Sequence, residues 1–174
     1  AITLSNSSTA IAGLATAAEL ATLPHFTGSA LAVTITDSVS DLTASANAAL
    51  VSNIIANFPN VTFALAGADT ATAAQAAALQ SLGSHFSRGG NSFTITDSAF
   101  NLAALPAAAA SLATTVRLQD SSLVSAANYQ ALSLLPHYTD GGNTLIVADS
   151  ASALLNLRSG VDLSFASAIM LTAP

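Results

Sequence analysis

The chain has 174 residues, of which 52% are hydrophobic and 7% charged, and its formal net charge is −6 with three Lys+Arg. This apolar content excludes an intrinsically disordered chain, and the scarcity of cations argues against nucleic-acid partners, which need a basic surface. The absence of cysteine removes disulfides and thiolate sites.

The longest apolar stretch, residues 102–112, is interrupted by Pro106 and is shorter than the ~20 residues that a spanning helix needs, so we expect no membrane insertion. The chain begins at Ala1 with neither an initiator Met nor a basic leader, which indicates a segment of a longer protein.

Two kinds of short strand alternate along the chain with Ala/Leu-rich runs. The first kind is predicted at residues 2–4, 61–63, 116–118 and 169–171. Helical runs at 11–23, 71–82 and 124–135 follow the first three of these strands and lead to His25, His85 and His137.

The second kind of strand belongs to a motif that recurs three times. Each histidine adjoins an aromatic residue, glycine follows, and a strand then ends in Asp-Ser, at residues 33–38, 93–98 and 145–150. The histidines are 60 and then 52 residues apart. The long period therefore holds two strand-plus-helix units, predicted at 1-26, 27-60, 61-86, 87-112, 113-138 and 139-166, with 167-174 as the first strand of a further unit.

One strand and one helix per unit predict parallel strands with crossover helices. We therefore expect an α/β fold, a right-handed β/α solenoid of stacked strand–helix repeats that spans residues 1-174. Two geometries stay open: a leucine-rich-repeat-like horseshoe with one curved sheet, or a two-walled coil.

Polar residues stand where each strand gives way to a helical run. Asp37, Asp97 and Asp149, each followed by Ser, are predicted to cap the first turn of the helix, which is worth about 1 kcal/mol per cap. Asp69 and Asp120 are expected to act similarly in the other kind of unit.

The segments Thr34-Ile35-Thr36-Asp37-Ser38 and Thr94-Ile95-Thr96-Asp97-Ser98, with the Leu and Ala that follow them, resemble repeats of very large bacterial surface proteins. Those proteins are rich in Ala, Thr, Ser and Asp, are often exported by type I secretion, and are described as adhesins or S-layer-like proteins. The resemblance implies an extracellular role in structure, adhesion or a biofilm matrix. The Gly-Gly-x-Gly-x-Asp nonapeptide that binds calcium in many such proteins is absent from the sequence.

The recurring histidines and aspartates are interpreted as structural repeat positions. His25, His85 and His137 could stack in a column, but equivalent residues stack in any solenoid. Single aspartates one unit apart do not supply the six to eight oxygen ligands of calcium. No Gly-x-Ser-x-Gly elbow is present. We therefore expect no enzyme, no metal and no cofactor.

The strand residues between the apolar positions form a possible binding face. It comprises Thr34, Thr36, Thr94, Thr96 and Arg117. Its expected partners are neighbouring repeats or other copies of the chain, with surface glycans or a host surface as the alternative. Ice binding is less favoured, because Arg117 interrupts the threonine rows.

Overall fold

The computed structural model describes residues 8–22, 32–157 and 161–172. Within these ranges the strands are β1 Ser8–Ala12, β2 Ala32–Asp37, β3 Val61–Leu65, β4 Asp69–Ala71, β5 Phe86–Ser87, β6 Phe93–Asp97, β7 Thr115–Leu118, β8 Ser122–Val124, β9 Tyr138–Thr139, β10 Leu145–Asp149 and β11 Ala168–Leu171.

The α-helices in the same ranges are short. They are α1 Leu14–Ala21, α2 Val39–Thr43, α3 Ala48–Asn57, α4 Ala73–Ser81, α5 Ala99–Ala103, α6 Ala107–Ala110, α7 Ala126–Ser133 and α8 Ala151–Leu155. Single 3₁₀ turns lie at Ser45–Asn47, Gly83–His85 and Leu163–Phe165. None of these helices is long and apolar enough to cross a membrane.

The strands form three small sheets, with the orders β1-β2-β3-β5, β4-β6-β7-β9 and β8-β10-β11. Strand β2 pairs in parallel with β1 and β3, β7 with β6 and β9, and β10 with β8 and β11. Parallel neighbours cannot be joined by a tight turn, so the helices lie in the connections between them. The prediction of an α/β fold with parallel strands is confirmed.

The sheet register shows how far along the chain each strand finds its partner. Val33 pairs with Val61, 28 positions later, and Thr94 pairs with Thr115, 21 positions later. The other described pairings fall between these two values. We call the chain from one strand to its next parallel partner a coil.

Contacts divide the chain into two compact units, Ala1–Asp69 with Ala78–Ser92, and Thr70–Ala77 with Phe93–Pro174. In β2, β6, β7 and β10 buried side chains alternate with more exposed ones, as period-two geometry requires. The first unit buries Val33, Ile35, Phe63, Leu14, Leu42 and Ile54, and the second buries Phe93, Ile95, Val116, Leu102, Leu132 and Val147. Each such side chain contributes roughly 1.5–3 kcal/mol through its removal from water.

The predicted start of each helical run was wrong by two or three residues. Ile11, Ala71 and Val124 lie in strands β1, β4 and β8, and the helices begin afterwards at Leu14, Ala73 and Ala126. Alanine-rich runs carry little periodicity, so pairing in a sheet decides the conformation there. The strand predicted at residues 2–4 lies outside the described residues.

Pro106, which interrupts the apolar stretch of residues 102–112, separates two helices. Helix α5 ends at Ala103 and α6 begins at Ala107, directly after the proline. A proline is well tolerated where a helix starts, because its missing N–H would have no partner inside the helix.

Candidate functional site

The aspartates at the strand ends join one coil to the coil before it. Asp37 Oδ2 accepts a hydrogen bond of 2.8 Å from the backbone N–H of Leu14, the first residue of α1. Asp97 Oδ2 accepts one of 3.0 Å from Ala73, the first residue of α4. Each partner lies 23 or 24 positions earlier in the chain.

Two further aspartates make the same contact. Asp149 Oδ2 accepts from the N–H of Ala126 at 3.1 Å, and Asp69 Oδ2 accepts from the N–H of Val39 at 2.7 Å. Asp69 was predicted to cap a helix and does so, but the helix is α2, which begins 30 positions earlier. We call these four contacts the aspartate junctions.

The helix that follows each Asp-Ser pair is capped by the serine. Ser38 Oγ accepts from the N–H of Asp41, Ser98 Oγ from Asn101 and Ser150 Oγ from Ala153. The aspartates were predicted to cap these following helices. That prediction was wrong in its target, because the carboxylate reaches the first turn of the preceding coil's helix.

Asp97 is the most buried of the junction aspartates, with 9% of its surface exposed. Burial raises the pKa of its carboxyl group, but hydrogen bonds from Asn101 and from the backbone N–H groups of Ala73 and Ser98 lower it by more. The net pKa of Asp97 lies below its ordinary value. Asp97 is therefore charged at neutral pH and serves as an acceptor, a state unsuited to general acid catalysis.

The two described histidines occupy different surroundings. The half-buried His85 places Nδ1 2.9 Å from the carbonyl oxygen of Val61, so the ring N–H donates a hydrogen bond to the backbone of the preceding coil. His137 is exposed, has a φ of 60°, and accepts a hydrogen bond from Val116 through its own carbonyl. His25 lies outside the described residues. Among the described residues, no group of three His, Asp or Glu side chains could hold a metal ion.

The predicted binding face is divided between two sheets. Thr34 and Thr36 lie on β2 in the first unit, where Thr34 pairs with Thr62. Thr94, Thr96 and Arg117 lie together in the second unit, because Thr96 pairs directly with Arg117. The residues predicted to form one face therefore lie in two sheets, one in each unit.

The cluster around Arg117 includes two threonines that the sequence analysis missed. Thr115 pairs with Thr94, and Thr139 pairs with Arg117. The signal was present, since Thr115 precedes the buried Val116 and Thr139 follows the buried Tyr138. We call Thr94, Thr96, Thr115, Arg117 and Thr139 the threonine–arginine face.

Arg117 is held across a glycine on this face. A Cβ atom added to Gly141, whose φ is +66°, would lie 2.6 Å from Arg117 Cγ and 2.7 Å from Cδ. Only glycine fits beneath the arginine chain at this distance. The Arg117 side chain is exposed to solvent, and the Oγ1 atom of the neighbouring Thr96 is buried without a hydrogen-bond partner among the described residues. The arrangement presents one cation on a strand whose neighbours place Thr96 and Thr139 opposite it.

A cleft of about 360 Å³ lies in the first unit. It is lined by residues of α2 and α3, and also by Ala78, Ser81, Leu82 and His85. No Asp, Glu, Lys or Arg lines it, and the Nδ1 atom of His85 is committed to the Val61 carbonyl. The cleft therefore offers apolar contacts but no charged group.

No protein-family model, curated protein or solved structure matches the chain.

Proposed function

We propose that the chain is a non-enzymatic structural repeat module of a secreted bacterial cell-surface or biofilm-matrix protein. In this proposal the coils stack in chain order as a right-handed β/α solenoid, and the module serves adhesion or assembly. Whether the solenoid has one curved sheet or two walls stays open.

The aspartate junctions are the observation that carries the proposal. In four places an aspartate accepts from the first helical N–H of the preceding coil, and three of these aspartates, Asp37, Asp97 and Asp149, are the last residue of a strand. In each case the two partners are 23 to 30 positions apart in the chain, and a contact of this kind made four times favours neighbouring coils built to stack on each other.

The non-enzymatic part of the proposal draws on the same contacts. The recurring Asp carboxylates and His85 are hydrogen-bonded to the backbone, which occupies the groups that general acid–base or nucleophilic chemistry would need. Function must be argued from a particular site. Ser38 Oγ donates to Asp41 Oδ2 at 2.7 Å, but the same hydroxyl accepts from the N–H of Asp41 as the cap of α2.

Deleting the segment from its gene tests the adhesive role. We expect attachment of the cells to a surface and their biofilm mass to fall, while antibody labelling of intact cells still detects the shortened protein outside. Unchanged attachment, or a product retained inside the cell, would contradict the proposal.

Glycan or host-surface binding is the second candidate, and the threonine–arginine face favours it. An exposed guanidinium flanked by hydroxyl groups suits sugars that carry a carboxylate, because arginine pairs with that group through two hydrogen bonds. A glycan array should give reproducible hits that Arg117→Ala abolishes and that the matched Arg88→Ala retains. An array without hits removes this candidate and leaves the structural module.

A further inference from the structure

Three strands of the chain are copies of one type. Each places a leucine opposite the last aspartate of its neighbour: Leu65 opposite Asp37 in β3, Leu118 opposite Asp97 in β7 and Leu171 opposite Asp149 in β11. These leucines follow each other at intervals of 53 residues. The apolar residue two positions earlier is Phe63, Val116 or Ile169, so the same inward pattern is present in each copy.

The third copy differs from the other two in its exposure. Leu65 and Leu118 are 2% and 1% exposed, whereas Leu171 is 70% exposed. Ile169 is 50% exposed although its neighbour across the sheet, Val147, is fully buried. Because the residue types of the three strands are alike, the difference in exposure comes from the elements that pack against each strand.

The strands that cover the first two copies also share a pattern. β3 is flanked by β2 and by β5, which consists of Phe86 and Ser87. β7 is flanked by β6 and by β9, which consists of Tyr138 and Thr139. In both cases the covering strand has an aromatic residue followed by a hydroxyl residue, and it comes next in the chain after a leucine-containing helix. Among the described residues β11 pairs with β10 alone.

We propose that the open edge of β11 is a docking site for one further coil of this type. The coil follows β11 in the same polypeptide, carries a leucine-containing helix, and adds a parallel strand of an aromatic and a hydroxyl residue. This inference rests on the proposed repeat module and adds the chemistry of the partner. An uncovered apolar edge strand is otherwise a hazard for aggregation.

The test extends the full chain by a second copy of its own coil. Residues 119–171 are repeated directly after Leu171, in place of residues 172–174. Amide hydrogen exchange in β11 should slow by roughly tenfold or more, most strongly at the amides that point away from β10, because these gain a partner in the added strand. The matched control carries the same extension with Leu132→Ser, Leu135→Ser and Tyr138→Ser in the added copy, and its exchange at these positions should stay fast.

Three results would overturn the inference. Equally fast exchange at β11 in the extension and in its control would show that the added coil does not dock. Slow exchange at β11 in the unextended chain, with elution as a dimer, would assign the edge to a second copy. Fast exchange throughout β6 and β7 would show that the repeat fold itself does not form. That result would contradict the proposed function, whereas the first two results would contradict only the docking site at β11.

Discussion

The Oδ2 atom of Asp97 lies 3.0 Å from the backbone nitrogen of Ala73, which is 24 positions earlier in the chain. The other carboxylate oxygen, Oδ1, accepts from the backbone N–H of Ser98 and from Asn101 Nδ2. One side chain therefore links the first turn of α4 to the end of strand β6 in the next coil. Helix N-termini favour negative charge, which strengthens the contact.

Replacing Asp97 with alanine should destabilise the fold by about 1–3 kcal/mol, because the N–H of Ala73 loses its partner in a buried setting. Urea unfolding followed by circular dichroism measures the loss. The exposed Asp120 provides the control, and Asp120→Ala should change the stability by less than about 0.5 kcal/mol. Equal urea midpoints for the two variants would show that the junction contributes nothing.

The stability contributed by Asp97 should depend on pH in the acid range. Its pKa is lower in the folded chain than the ordinary value near 3.9, so the contribution is complete above about pH 4 and is lost as the pH falls through the folded pKa. Asp97→Asn cannot titrate. The difference in urea midpoint between the wild type and this variant should be largest at pH 7 and shrink below pH 4, and a constant difference would contradict the assignment.

Two buried tyrosines should respond in opposite directions to loss of the hydroxyl group. Tyr129 Oη donates to the carbonyl of Asp162, whereas Tyr138 Oη is buried with no partner among the described residues. Burial raises the pKa of Tyr138, as expected for a hydroxyl group removed from water.

Tyr138→Phe should therefore be neutral or stabilise the protein by up to about 1 kcal/mol, and the equivalent strand residue, Phe86, already lacks the hydroxyl. Tyr129→Phe should destabilise it by about 1 kcal/mol. Thermal unfolding of both variants checks the signs, and a clear loss in Tyr138→Phe would mean that its hydroxyl has a partner.

Alanine at Gly141 should displace Arg117, because the new Cβ would lie 2.6 Å from Arg117 Cγ. Gly142→Ala is the matched control, since Gly142 also has a positive φ, +81°, but nothing lies within 4 Å of its added Cβ. Both changes carry a backbone cost of roughly 1–2 kcal/mol.

Only the cost at Gly141 should fall when Arg117→Ala is introduced as well. A double-mutant cycle by urea unfolding measures this coupling. A coupling of zero would show that Arg117 does not rest on Gly141.

The strands of this fold were largely predictable from the sequence, because alternation of apolar and polar residues marks them locally. Strand β6 was expected at Phe93 to Asp97 and lies there, and the strand expected at residues 169–171 is β11. Strands β4 and β8 were missed, since each has three residues, Asp-Thr-Ala and Ser-Leu-Val, which are too few to show a period.

The partners of the recurring residues were not predictable in the same way. Asp97 was expected to cap the helix after it, yet its Oδ2 reaches Ala73, because β6 lies beside β4 in one sheet and brings together residues 24 positions apart. A local pattern specifies that a carboxylate stands at a strand end, but it does not specify which helix lies beside it. In the same way, a local pattern does not specify which strands pair. Thr34 and Thr94 share a sequence pattern but belong to different sheets.

Removal of the last strand tests most directly whether neighbouring coils stabilise each other. The truncated chain ends at Ala166 and so lacks β11, which pairs with β10 through Ile146, Val147, Ala148 and Asp149. Amide hydrogen exchange and thermal unfolding are measured on the full and truncated chains. Stacked coils predict faster exchange in β10 and a lower melting temperature, because a coil that loses its neighbour exposes its buried face. Unchanged exchange in β10 and an unchanged melting temperature would contradict a continuous repeat.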